Sequence, residues 1–393
     1  MTTPDYSTKC PRCFHVLPPD VYAWTLKAPD SVSVDEPATA YTGHTVTMGE
    51  VHTSRMPSNA GPDWSPLPDD VPPSSVDQVC PTCHYVLLPQ WRAGHATCIA
   101  MAGARWTGKT VYIAVLIKQL QRLAEQYDEV VEPADQVTRE RYRTQYEQPL
   151  YEEQGIIAAT PSATAYAHHP LIFSIGIWNG QTRYLVIRDV AGEDLENPQN
   201  VTGPVHDFFS RADSVFFLFD PLRVPEIAAE LQDMIPIPPV LGGDPREVLR
   251  TVLDLVGAGT PSIAVILSKF DAFQKLAEVE NGKWSQAMGN AGAAYNRDPG
   301  LVSRQYDHAD GQLVDAEIKS LLHRLGAGPQ LRRIRNVYGQ EHRHQFFVVS
   351  ALGESPTGEK LHRNGISSFR CADPVRWLLA GTGALEDPAW APR

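Results

Sequence analysis

Apolar residues along this chain gather into short runs of strand length, separated by polar or glycine-rich turns. The clearest are Cys98–Ala102, Leu171–Trp178, Tyr184–Arg188, Ser214–Asp220, Ser262–Leu267 and Gln345–Val349. Ser214–Asp220 reads SVFFLFD and shows no polar alternation, which predicts a parallel strand covered on both faces. Asn179-Gly180 stands between two of the runs and is a strong two-residue hairpin signal. Helical spacing takes over after the first run. From Gly108 to about Gln126, Val111, Ala114, Val115 and Leu116 fall on or near one face. Further helices are expected over Gln136–Glu153, Pro245–Leu255, Gln312–Leu325 and Pro374–Ala380. Strands alternating with helices, broken by one hairpin, predict an α/β fold around a mostly parallel sheet.

The pattern is uneven along the chain. Residues 28–79 are rich in Pro, Asp, Ser and Thr and read mostly as loop, with Trp24, Tyr41 and Trp64 as docking points. The expected division is a small N-terminal module over 1–94 with a looped-out insertion of about 20–79, a large α/β domain over 95–382, and a tail over 383–393. Residues 275–340 read as an insertion or lid.

Composition narrows the function classes. The chain has 393 residues, 42% of them hydrophobic, and a formal net charge of −12. That suffices for a real core, and it does not suit general nucleic-acid or anionic-membrane binding. No apolar run approaches the length of a bilayer span. The start, MTTPDYSTKC, has neither a basic nor an apolar signal region, so a cytoplasmic location is expected.

Cysteine spacing adds chemistry. Four of the six cysteines form two C-x-x-C pairs, Cys10/Cys13 and Cys80/Cys83, inside near-repeated segments: CPRCFHVLP and CPTCHYVLLP. In a cytosolic chain such pairs read as metal ligands before disulfides. Two matching knuckles with four thiolates suit a tetrahedral Zn²⁺ site. The 66 residues between Cys13 and Cys80 exceed a compact ribbon, so the intervening chain must loop out. His84 and His95 lie nearby, but four thiolates already fill the site. Cys98 and Cys371 read as small buried residues.

The run Gly103–Thr110, GARWTGKT, fits G-x-x-x-x-G-K-[ST] between a strand and a helix. Gly103 and Gly108 let the backbone N–H groups of Ala104, Arg105, Trp106 and Thr107 turn inward around an anion. The helix behind them, entered through Val111, points its positive end at the same place. Lys109 would reach phosphate oxygens and Thr110 would hold Mg²⁺. Further along, Asp189-Val-Ala-Gly192-Glu193 ends a strand, where a second Mg²⁺ contact from Asp189 and a phosphate contact from Gly192 are expected. Ser268-Lys269-Phe270-Asp271 ends another. A carboxylate such as Asp271 can accept from the N1–H and N2–H₂ edge of guanine, and a site built on that pairing rejects adenine. Arg139, Arg141 and Arg143 read as a solvated helix face.

Together GARWTGKT, DVAGE, SKFD and SAL resemble, in order, the G1, G3, G4 and G5 boxes of translation-factor-type and small regulatory GTPases. With the cysteine module in front, the chain is similar to the bacterial double-GTPase families. That resemblance implies a P-loop GTPase three-layer sandwich and binding of GTP with Mg²⁺. It also implies a switch that hydrolyses GTP and acts with a protein partner, such as a second GTPase, in a multi-component regulatory or conflict system. Ser268, Lys269 and Asp271 would read the base, with Ser350, Ala351 and Leu352 covering it. Lys109, Glu193 and a switch threonine, Thr160 or Thr164, would serve catalysis, the threonine also contacting Mg²⁺. Glu193 stands where small GTPases carry Gln, which implies slow hydrolysis. The alternatives are a GTP-binding scaffold without turnover and an ATP-dependent P-loop enzyme.

Overall fold

A computed structural model describes residues 8–381, except 62, 156–168, 179–180, 198, 200, 202, 236–241, 260, 302–304, 340–342, 357–359 and 363–364. Thr160, Thr164 and the Asn179-Gly180 turn lie outside the described residues. The structure is α/β, with a large, mostly parallel sheet and a cysteine cluster near the N-terminus.

The N-terminal region holds more regular structure than its composition suggests. β1 (Val21–Leu26) lies between β4 (Val51–Arg55) and β5 (Val76–Val79), antiparallel to both. β2 (Ser33–Val34) and β3 (Thr47–Met48) form a two-residue ladder. Between them runs α1 (Glu36–Thr42), capped by Asp35, whose carboxylate accepts from the Ala38 N–H at 2.7 Å. The expectation of loop is corrected here, for a physical reason. Each element is short and polar, but the aromatics pin the set: Trp24 lies 4.5 Å from His52 and Tyr22 5.4 Å from Trp64, ring to ring.

The main sheet has seven strands in the order β12-β11-β10-β6-β9-β8-β7. These are β6 (His95–Gly103), β7 (Glu132–Pro133), β8 (Leu171–Trp178), β9 (Gln181–Asp189), β10 (Ser214–Phe219), β11 (Ser262–Leu267) and β12 (His344–Val348). The first five in that spatial order are parallel; β8 runs antiparallel to β9, and β7 antiparallel to β8. All six residues of β10 are buried, as a strand covered on both faces requires. Side chains alternate across the sheet. Cys98, Ala100, Ala102, Val186 and Phe217 point to the face that also holds Phe14, Leu17, Trp91 and the four paired cysteines. Ile99, Met101, Ile187, Phe216 and Leu218 point to the other, where α2 (Lys109–Glu125) supplies Ile113 and Leu116. Each phenylalanine buried in this way contributes about 2–3 kcal/mol.

Two other expectations change. The Gln136–Glu153 helix is α-helical only as α3 (Gln136–Tyr142) and continues as π-helical turns over Arg143–Glu152. Pro149 sits inside those turns and has no N–H, and the wider register appears in Glu153 N–H donating to the Gln148 carbonyl at 3.0 Å. Residues 275–340 are no lid. Helices His308–Arg324 and Gly328–Tyr338 bury Ile318, Leu322, Leu331 and Ile334 in the core, and Asp315 accepts from the Phe346 N–H of β12 at 2.8 Å. Among the described residues no helix is long and apolar enough to cross a membrane.

Candidate metal centre and cleft

The two cysteine knuckles fold alike. In one, Cys10 N–H donates to the His15 carbonyl, Phe14 N–H to Cys10, and Leu17 N–H to Thr8. In the other, Cys80 donates to Tyr85, His84 to Cys80, and Leu87 to Gln78. Phe14 (φ 58°) and His84 (φ 53°) both take the left-handed conformation directly after the second cysteine of their knuckle. The sequence repeat is therefore a repeat of backbone conformation.

All four sulfurs lie within 4.8 Å of one another, with Cys10 to Cys83 at 3.6 Å and Cys13 to Cys80 at 3.8 Å. Four sulfurs about 2.3 Å from a tetrahedral Zn²⁺ stand roughly 3.8 Å apart, so the cluster has the right size. All four side chains are fully buried. Burial pushes the Cys10 and Cys83 thiols up, while hydrogen bonds from Cys10, Cys13 and Cys83 pull Cys80 down. A divalent cation is the partner that lets all four ionise.

His84 stands outside the sulfur cluster and bonds Asp35 through Nδ1 at 2.7 Å, which ties α1 to the second knuckle. Cys98 and Cys371 are buried elsewhere, and burial raises both thiols. Sequence reasoning missed Arg188. It sits on β9 opposite Ala100, faces the cysteine side of the sheet, and donates from Nη1 to the Arg12 carbonyl at 2.6 Å, inside the first knuckle.

At the carboxyl ends of β6, β10, β11 and β12 lies a cleft of about 270 Å³, the usual place for a ligand in such a sheet. Its walls include Arg105–Tyr112, Gly192, Glu193, Ser268, Lys269, Asp271, Ala351 and Leu352, so the motifs scattered along the chain do converge. Leu222, Ile235 and Pro356 also line it, with no advance signal in the sequence. Gly103 needs to be glycine: φ is 147°, and a Cβ would stand 2.9 Å from the Leu218 carbonyl oxygen.

Most polar groups here are held by the protein itself. Lys109 Nζ donates to the Gly103 carbonyl at 2.9 Å and the Ala104 carbonyl at 3.3 Å. Burial lowers its pKa, against the charges of Asp189 and Glu196. Arg105 Nη1 pairs with Glu193 Oε1 at 2.7 Å, and the Arg105 N–H donates to Glu196 Oε1 at 2.7 Å. A Cβ on Gly192 would stand 2.2 Å from the Arg105 nitrogen, so the post-β9 turn presses directly on the glycine-rich loop. Lys269 (φ 51°) turns its Nζ onto buried Asp220 at 2.7 Å. Asp271 accepts from the Ser350 hydroxyl at 2.5 Å, and burial raises its pKa. Ser268 Oγ donates to the carbonyls of Thr107 and Phe219 at 3.3 Å each, stitching three loops together. Thr110 and Val111 open α2 beside the cleft, and Asp189 ends β9 and is buried. None of the three predicted surface arginines lines the cleft. Arg139 and Arg143 are exposed, and Arg141 bonds the His169 carbonyl.

No protein-family model matches the chain. Across 389 residues, 96% of this chain and 100% of the relative, it is 47% identical to a protein of Mycolicibacterium smegmatis named "Putative ESX-1 scaffolding and assembly protein SaeC". The chain belongs to the SaeC family. Membership corrects several expectations at once. The resemblance to bacterial double-GTPase families, the GTP-hydrolysing switch and the GTPase activity are overturned, since the family is named for scaffolding and assembly. The rival readings as a GTP-binding scaffold or an ATP-dependent enzyme fall with them, and so does the second GTPase as partner. GTP and Mg²⁺ lose the support the resemblance lent them. There is a physical reason for the misreading. The four boxes specify N–H groups around a turn and carboxylates at strand ends, which any parallel α/β sheet can present. They do not specify attack by water, and Glu193, expected to orient it, is held by Arg105.

Proposed function

We propose that this chain is a scaffolding and assembly protein for an ESX-1 system, the role given in the name of its relative. One observation carries the reading: the match runs through essentially the whole length of both chains. Within it, the four cysteines hold a structural Zn²⁺ that knots the N-terminal module, because no ligand position is left open for chemistry. In the α/β domain, on this reading, the Gly103–Val111 turn beside the mostly parallel sheet cradles a phosphate-bearing ligand. Ser268, Lys269, Asp271, Ala351 and Leu352 face the rest of that ligand, and Ser350 supports Asp271 from behind. Hydrolysis forms no part of the reading.

The test of the scaffold is exchange. Expressed in M. smegmatis lacking SaeC, this chain restores secretion through ESX-1 to the level given by SaeC itself. Stable expression without restored secretion, where SaeC does restore it, rejects the assignment. The cleft has its own test in calorimetric titration with inorganic phosphate and tripolyphosphate. Lys109→Ala should weaken binding about 10- to 100-fold, since a charged hydrogen bond contributes about 1.5–3 kcal/mol. Equal binding by both proteins places the ligand elsewhere.

A further inference from the structure

Arg188 poses a problem that the sheet does not solve. Its side chain is 5% exposed, and its guanidinium lies 3.9 Å over the Phe208 ring. Among the described residues it makes one hydrogen bond, to the Arg12 carbonyl, and no carboxylate lies within ion-pair distance. A buried cation without a counter-charge is expensive, and removal from water is normally offset by an anion close by. The nearest other charge on the first knuckle makes matters worse, since Arg12 is itself a cation, stacked 4.7 Å over Tyr85. Burial and the Arg12 charge bring the Arg188 pKa down to about 10, and the sulfurs of Cys13, Cys83 and Cys10 act in the opposite direction.

The position explains what it is for. Arg12 lies between Cys10 and Cys13, so the Arg188 hydrogen bond reaches into the turn that presents both sulfurs. Phe208 in turn packs edge-on against Phe14, the residue after Cys13, at 5.5 Å. A divalent ion on four thiolates carries a net charge of −2, and buried. We propose that Arg188 is the counter-cation of the four-cysteine metal centre, making that centre a joint construction of the N-terminal module and β9 of the main sheet. This rests on the reading of the cysteines as a metal site. A neutral thiol cluster would have no use for the guanidinium. A guanidinium suits the place better than an ammonium because it is weakly hydrated and can lie flat on Phe208 while donating sideways.

The experiment uses the full chain with zinc, then cobalt(II) as a visible probe. Affinity is measured by competition with a chromophoric chelator for the wild type, Arg188→Gln and Arg188→Lys. Loss of a group that orients or neutralises metal ligands costs about 10- to 100-fold in affinity, and that loss is expected for Arg188→Gln. Arg188→Lys keeps the charge and should retain most of it, with a thiolate-to-cobalt band close to that of the wild type. Undiminished affinity in Arg188→Gln, or equal losses in the two variants, overturns the proposal and leaves the metal site standing. A wild type that takes up no metal overturns both. Should Arg188→Gln not fold, Arg188→Lys decides: near-native affinity supports the counter-cation and a tenfold loss rejects it.

Discussion

The four-cysteine centre and the glycine-rich cleft are served by consecutive residues of one strand, yet they carry their meaning differently. Arg188 of β9 reaches the cysteines, and Asp189 acts on the charge of Lys109 at the cleft. At the centre, four sulfurs converge within 4.8 Å and leave one sensible occupant. At the cleft, motif residues also converge, but the protein already engages them: Lys109 with loop carbonyls, Lys269 with Asp220, Asp271 with Ser350, Glu193 with Arg105. Metal ligation uses up the chemistry of its residues. A phosphate-loop motif defines only a capacity to receive an anion, and any chemistry after binding depends on groups outside the motif.

The sharpest way to break the comparison is to remove one ligand. Cys80→Ser should abolish stoichiometric zinc in metal analysis and unfold the module, because structural zinc supplies on the order of 10 kcal/mol in small domains. Full zinc content in that variant would dissolve the distinction between the two regions. Gly192→Ala comes next. Its Cβ has no room against Arg105, and overpacking of this kind costs about 1–3 kcal/mol, readable as a lowered urea midpoint at unchanged slope. A neutral outcome would mean that the turn does not press on the loop in solution.

Asp271 gives a subtler test through pH. Burial raises its pKa in the folded chain above the unfolded value, so the native state holds the proton more tightly. Stability from this group is therefore full below the ordinary aspartate value, about 3.9, and falls as pH rises through the raised one. Urea unfolding across that range should show the fall, and Asp271→Asn should flatten it; an unchanged slope excludes Asp271 as its source. The smallest effect is expected from Glu193→Gln. Its pair with Arg105 is more than a third exposed, and such pairs contribute about 0–1 kcal/mol. A larger loss of thermal stability would show that the pair locks the cleft.

Much of the framework was legible from local patterning. The apolar run SVFFLFD became the fully buried β10, and the repeated C-P-x-C segments became matching knuckles. Residues 20–79 were not legible, because their short strands depend on partners far along the chain, such as Val21 against Arg55 and Ala23 against Val79. The 275–340 helices were visible in part, but not their place in the core. The functional class was misread because the boxes are short and the relationship that decides it is spread over 389 residues.

What the sequence determined by itself was whatever spacing dictates: strand and helix periods, the two cysteine turns, and the glycines of the loop. These depend on backbone sterics and on atoms a few residues apart. Tertiary structure alone decided which charges meet. It brought Cys13 to Cys80, Lys269 to Asp220, and Arg188 to the knuckle around Arg12. Electrostatic partners are chosen by distance in space and by exclusion of water, and neither can be read from residue spacing along the chain.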